Sequence, residues 1–116
     1  MSSPIGKNAL EYIDSLLTPK EIAESDRRYP IVLTPSKQGY VVYVPDFDIN
    51  TQGRDIPDAM YMARDAIGII GIDMQDEGEP LPAPSLLSGV VSAQDDIVMT
   101  VNVDFDEYRR KQEAQL

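Results

Sequence analysis

The side chains able to do chemistry in this sequence are carboxylates, with Lys, Tyr and Ser behind them, because it contains no His and no Cys. Their absence removes Cys/His zinc sites, the Ser-His-Asp triad and the Cys-His pair, and it leaves no disulfide framework. Two-metal hydrolysis needs three or four carboxylates converging on ions about 4 Å apart. Chain position nominates Asp46, Asp48, Asp104 and Asp106 for that task. Their settings argue against it. Asp46 and Asp48 flank a strand end, where Asp is a common turn residue. Asp104 and Asp106 share one face of the last strand, which is solvated if Val103 and Phe105 face the core. The main helix adds Asp65 and Asp73 without neighbouring site partners. These acids read as solvated surface, so the chain is expected to be no enzyme and to need no metal or cofactor.

An RNA-binding platform is the next possibility, and it wants aromatic side chains interleaved with Lys and Arg. Tyr40 and Tyr43 point to opposite faces of one strand, with Lys37 the only nearby cation. The run Arg109-Arg110-Lys111 is more often a complement to a helix C-terminus than a phosphate contact. Twenty acidic against ten basic residues give a formal charge of −10, which repels a nucleic-acid backbone and attracts a basic protein. Acidity also serves solubility alone. The 116 residues, 42% hydrophobic, suffice for one domain. No apolar run approaches the roughly 18–20 residues needed to cross a bilayer, and Met1–Lys7 lacks the apolar centre of a secretory signal. A cytoplasmic protein is expected.

The elements that position these residues follow from periodicity. Leu10, Ile13, Leu16 and Leu17 recur at helical spacing, predicting a helical segment from Asn8 to Ser25, with a second turn opened by Thr18-Pro19-Lys20-Glu21. Two β-branched runs, Pro30–Thr34 and Tyr40–Val44, flank the loop Pro35–Gly39 and predict a hairpin. Pro45 ends the second strand, and Ile49–Gly53 makes a brief third. A long helix follows from about Pro57 to Asp76, capped by Asp55, with an apolar stripe of Ile56, Ala59, Met60, Ala63, Ile67, Ile70 and Met74. Gly68 and Gly71 inside it call for close packing, read as packing against the sheet. Three prolines in Glu79–Ser85 enforce an extended connector. In the last strand Ile97, Met99, Val101, Val103 and Phe105 form one apolar face, and a polar, helix-prone tail follows. The order β-β-β-α-β, with helical ends, predicts an α+β architecture: one helix layer on a small sheet. The expected organisation is a helical extension over 1–28, a core over 29–105 and a helical tail over 106–116.

Tyr29-Pro30, Gly39-Tyr40-Val41-Val42, Pro45-Asp46, Thr51-Gln52-Gly53, Ala59 to Ala66, and Asp76-Glu77-Gly78-Glu79-Pro80-Leu81-Pro82-Ala83-Pro84-Ser85 occur in that order. In these motifs the sequence resembles the HicB antitoxins, the partners of HicA toxins. The resemblance implies a degenerate RNase H-like fold, dimeric or larger, that blocks the active site of a small, basic, mRNA-cleaving ribonuclease. A strongly acidic inhibitor suits such a partner.

On this reading the toxin-binding residues are expected where the sheet ends and the third strand begins. Asp46, Asp48 and Asn50 would meet toxin cations, and Phe47 would anchor among them, or else fold back into the core. A lone helix covers little of a sheet, so Met99, Val101, Val103 and Phe105 are expected at a contact between copies in a homo-oligomer. Many family members carry a DNA-reading segment after the last strand. Only eleven residues follow Phe105 here, so operator binding by this chain alone is not expected.

Overall fold

The computed structural model describes residues 26–114; the helical expectation for Asn8 to Ser25 lies outside them. The elements are β1 (Asp26–Ser36), β2 (Gly39–Val44), β3 (Ile49–Gly53), α1 (Ile56–Asp76), a 3-10 turn (Leu87–Gly89), β4 (Ile97–Asp104) and α2 (Phe105–Ala114). One sheet runs in the order β3-β2-β1-β4, antiparallel at each pairing. With two helices added, this is the α+β class that the periodicity predicts.

Local chemistry accounts for most boundaries. Strands β1 and β2 pair as far as Ser36 with Gly39, so the turn shrinks to Lys37-Gln38. Gly39 sits at φ +138°, and a Cβ there would lie 2.2 Å from the Gly53 carbonyl oxygen, which only glycine tolerates. Asp55 caps α1 by accepting from the Asp58 amide (2.8 Å), while Asp58 accepts from the Arg54 amide (2.9 Å). Its bonds from Arg54 hold the Asp58 carboxyl below its ordinary range, with the Arg54 amide the largest cause and the Arg54 side chain next. The start of β1 differs from expectation. Asp26-Arg27-Arg28 read as a polar lead-in, yet they form the first three residues of the strand, because β4 extends far enough to pair Asp26 with Asp104.

Alternation places Tyr29, Ile31 and Leu33 of β1, Val42 and Val44 of β2, and Val101 and Val103 of β4 on one sheet face, where they are buried against Ala59, Ala63 and Ile67 of α1. Beyond Ile67 the packed face of α1 continues through Gly68, Gly71 and Ile72 rather than Ile70 and Met74. The two glycines make room for α2, not for the sheet. A Cβ at Gly71 would stand 2.1 Å from the Phe105 ring, and one at Gly68 would stand 2.7 Å from the Tyr108 ring.

A crossover helix alone returns the chain parallel to the strand it left. Here residues 77–96 carry the chain back along the sheet, so β4 descends antiparallel to β1. This strap is pinned at both ends. Tyr29 Oη (2.7 Å) and an Arg27 guanidinium nitrogen (3.1 Å) both donate to the Pro82 carbonyl. Ser85 donates its amide (2.9 Å) and its hydroxyl to the Asp46 carboxylate. At the far end the Thr34 hydroxyl donates to Asp96 (2.8 Å).

Candidate protein-binding surface

The turn between β2 and β3 holds Asp46, Phe47 and Asp48, and β3 opens with Ile49 and Asn50 beside it, so the four residues expected to meet a partner lie together but have two different tasks. Two backbone bonds close the turn, from the Phe47 amide to the Val44 carbonyl and from the Asp48 amide to the Pro45 carbonyl, both 3.2 Å. Asp48 takes a left-handed φ of 52°, a conformation that Asp tolerates better than most residues. Asp46 is occupied by Ser85 of the strap. The Phe47 ring turns inward, edge-on to Tyr29 with centroids 4.9 Å apart and planes at 72°. Of the two placements open to Phe47, the structure shows the one folded against the core. Asp48 and Asn50 are exposed. Asp48 accepts a bond from Tyr43 Oη (2.9 Å), which is the largest cause of that hydroxyl's raised pKa. Asp46 and Phe47 thus shape the turn, and Asp48 and Asn50 face solvent.

The four carboxylates weighed for metal chemistry have separate occupations. Asp46 clips the strap, Asp48 holds Tyr43, and Asp104 caps α2 by accepting from the Glu107 amide (3.1 Å). Asp106 lies in the first turn of α2, where its charge complements the helix dipole. Among the described residues no group of three or more acids is placed to hold a metal ion. Tyr40 packs toward the core while Tyr43 lies on the other face, so the two make no common stacking platform.

The residues expected at a contact between copies are placed differently from that expectation. Val101, Val103 and Phe105 are buried in the chain's own core, and Met99 is packed against it. Helix α1 does not cover this face alone: α2 adds Phe105, whose ring fills the space over Gly71. What β4 offers a second copy is its backbone, since among the described residues it ends the sheet.

Helix α2 is also fastened by polar contacts. Tyr108 Oη donates to Asp65, and burial first, then that bond, pushes the hydroxyl up to about 12. Arg109 pairs with Asp76 (3.0 Å) and donates to Gln75 (3.0 Å) and the Ile72 carbonyl (3.4 Å). It therefore complements the C-terminus of α1, whose own last turn has no basic residue. A groove of about 250 Å³ between α1, α2 and β4 is lined by Tyr61, Arg64, Tyr108 and Lys111 among others. The exposed apolar residues Leu86, Leu87 and Val91 on the strap escape a reading by periodicity. They sit in an irregular segment with neither a helical nor a strand period, where only the apolar pairs Leu86-Leu87 and Val90-Val91 are visible.

Comparison with known proteins gives this geometry a context. A solved chain from a "Toxin-Antitoxin complex from Streptococcus pneumoniae" superposes with a TM-score of 0.64 at 26% identity, over 72% of this chain and 72% of that one. No curated protein matches the chain. The family described as "HicB_like antitoxin of bacterial toxin-antitoxin system" matches residues 29–115, a span that takes in the sheet apart from the first three residues of β1, with α1, the strap and α2. The chain belongs to the HicB-like antitoxin family.

Proposed function

We propose that this protein neutralises a basic, HicA-like, mRNA-cleaving toxin by covering its active site. The observation that carries the reading is the family match across residues 29–115, and the toxin–antitoxin complex among solved structures supports it. Charge supports it too, since a formal −10 favours a basic protein over a nucleic acid. On this reading the chain binds rather than catalyses, acts in the cytoplasm, and does not bind its own promoter unaided. No helix among the described residues is long and apolar enough to cross a membrane.

Within this reading Asp48 and Asn50 meet toxin cations, while Asp46 and Phe47 keep the turn that presents them. The test is co-expression with the HicA-like protein encoded beside it, followed by binding kinetics on the pure pair. Growth is restored, and association slows as salt rises, because the screening length falls to about 8 Å at 0.15 M. Asp48→Lys combined with Asn50→Lys lowers the on-rate about tenfold at low salt and leaves the off-rate nearly unchanged. Arrested cells that stay arrested, with no complex recovered from the mixed proteins, overturn the reading.

A further inference from the structure

Residues 77–96 form a connection longer than the about 12–15 residues at which loops become uncommon and are usually functional. Part of this length is explained by the return path to β4. What the path leaves unexplained is the side chains on it. Leu86 is 78% exposed and Val91 is 92% exposed, with Leu87 beside them also exposed. Such residues normally sit inside, and a cluster of them on an ordered segment marks a contact surface.

The segment is held rather than loose. Its ends are tied by Asp46 to Ser85 and by Thr34 to Asp96. Between them the Gly89 amide bonds the Leu86 carbonyl (3.0 Å), and the Val90 amide bonds the Leu87 carbonyl (3.2 Å). The 3-10 turn sits against β4. Thr34, the outer anchor, lies on the sheet face turned away from α1, as do Tyr43 and the Asn50 paired with it. The strap is thus clipped to the turn that presents Asp48.

Charge decides what covers it. From Asp65 to Tyr108 the chain has no Lys or Arg, and the strap carries Glu77, Glu79, Asp95 and Asp96. Two copies meeting through this surface would set acid against acid, whereas a basic partner with an apolar depression matches both features. We infer that Leu86 and Val91 are the apolar anchors by which this protein holds its basic toxin, with Asp48 and the strap acids as the charged rim. This inference rests on the antitoxin reading. Anchors fixed in place before binding lose little freedom on association.

The test measures binding of the full chain to an inactivated copy of the toxin that co-expression identifies. Circular dichroism checks each variant, and both positions are open enough to take polar groups without disturbing the fold. Leu86→Ser with Val91→Ser weakens binding about tenfold or more, chiefly through the off-rate. Leu86→Lys weakens it more than Leu86→Glu does, because the partner is basic. The apparent mass of the protein alone, by light scattering, stays the same. Folded variants that bind as tightly as wild type overturn the inference and leave the antitoxin reading intact. So does a loss of self-association with toxin affinity unchanged, which would make the strap a contact between copies. Wild-type protein that binds no toxin overturns both.

Discussion

Gly71 shows how one missing methyl group can hold two helices together. Its Cα faces the Phe105 ring so closely that an added Cβ would stand 2.1 Å from a ring carbon, and Phe105 is wholly buried with nowhere to move. Alanine gains about 1 kcal/mol of helix propensity there, but overpacking of about 1–3 kcal/mol opposes it. Given so close a contact, Gly71→Ala is expected to lower stability by about 1–2 kcal/mol net in urea unfolding. Gly89→Ala, which meets open space, should change it by no more than about 0.5 kcal/mol. Tyr108 provides a pH signature. Its folded pKa of about 12 lies above the unfolded value, which is near 10. Below pH 10 both states keep the proton and the contribution is fully present; between about 10 and 12 the unfolded chain ionises first, so stability falls as pH rises. Tyr108→Phe should make alkaline unfolding shallower in that window, with Tyr29, raised by burial, and Tyr43, raised by its bond to Asp48, also contributing. Residue identity alone placed Asp48 in the turn and Asn50 at the start of β3, both exposed, yet it left Phe47 between two roles. The ring's inward turn depends on Tyr29, which pairs with Val101 of β4 and not with the β2–β3 turn, a neighbour that local spacing does not reveal.

The elements themselves were largely legible, because alternation and helical period are properties of short windows. The Asp55 cap is where the cap chemistry puts it, and the β4 face is where the periodicity puts it from Ile97 to Val103, but Phe105 opens α2 instead of ending the strand. The route of the strap was not legible, since prolines dictate that it is extended without saying where it goes. Nor was the partner of α2, whose polar sequence hides its two inward aromatics, Phe105 and Tyr108, three residues apart. That helix is expected to matter for stability despite lying at the end of the described chain. Asp104 caps it, and caps of this kind are worth about 1 kcal/mol. Asp104→Ala should therefore lower the urea midpoint by about that equivalent, while Asp106→Ala, which lacks the capping bond, should cost less. Equal effects of the two would show that Asp104 acts through charge alone.

At the scale of the molecule, the sheet is closed on one face by α1 and α2, and among the described residues it is bounded by two edge strands, β3 and β4. An edge strand presents unpaired backbone groups. Because the inward side chains of β4 are already buried, self-association is expected to run through its backbone, extending the sheet across a two-fold axis. Light scattering should then report a dimer or larger at high micromolar concentration, and Thr100→Pro should reduce it. A monomer at that concentration refutes the proposed assembly. The charge imbalance was readable from composition. Which face carries it was not, because the acids are spread along the chain and their placement depends on the return path of the strap.

Pairing Asp26 with Asp104 also sets an order in time. A ribosome adding about 5–20 residues per second finishes β1 roughly 3–14 s before the end of β4 emerges. For that interval one flank of the central strand has no partner, and Tyr29 lacks the Val101 that will lie beside it. A nascent chain stalled or cleaved within the strap would keep the β1–β2 hairpin, β3 and α1 but leave that flank bare, so the finished protein and its truncated fragments should differ sharply in their tendency to aggregate.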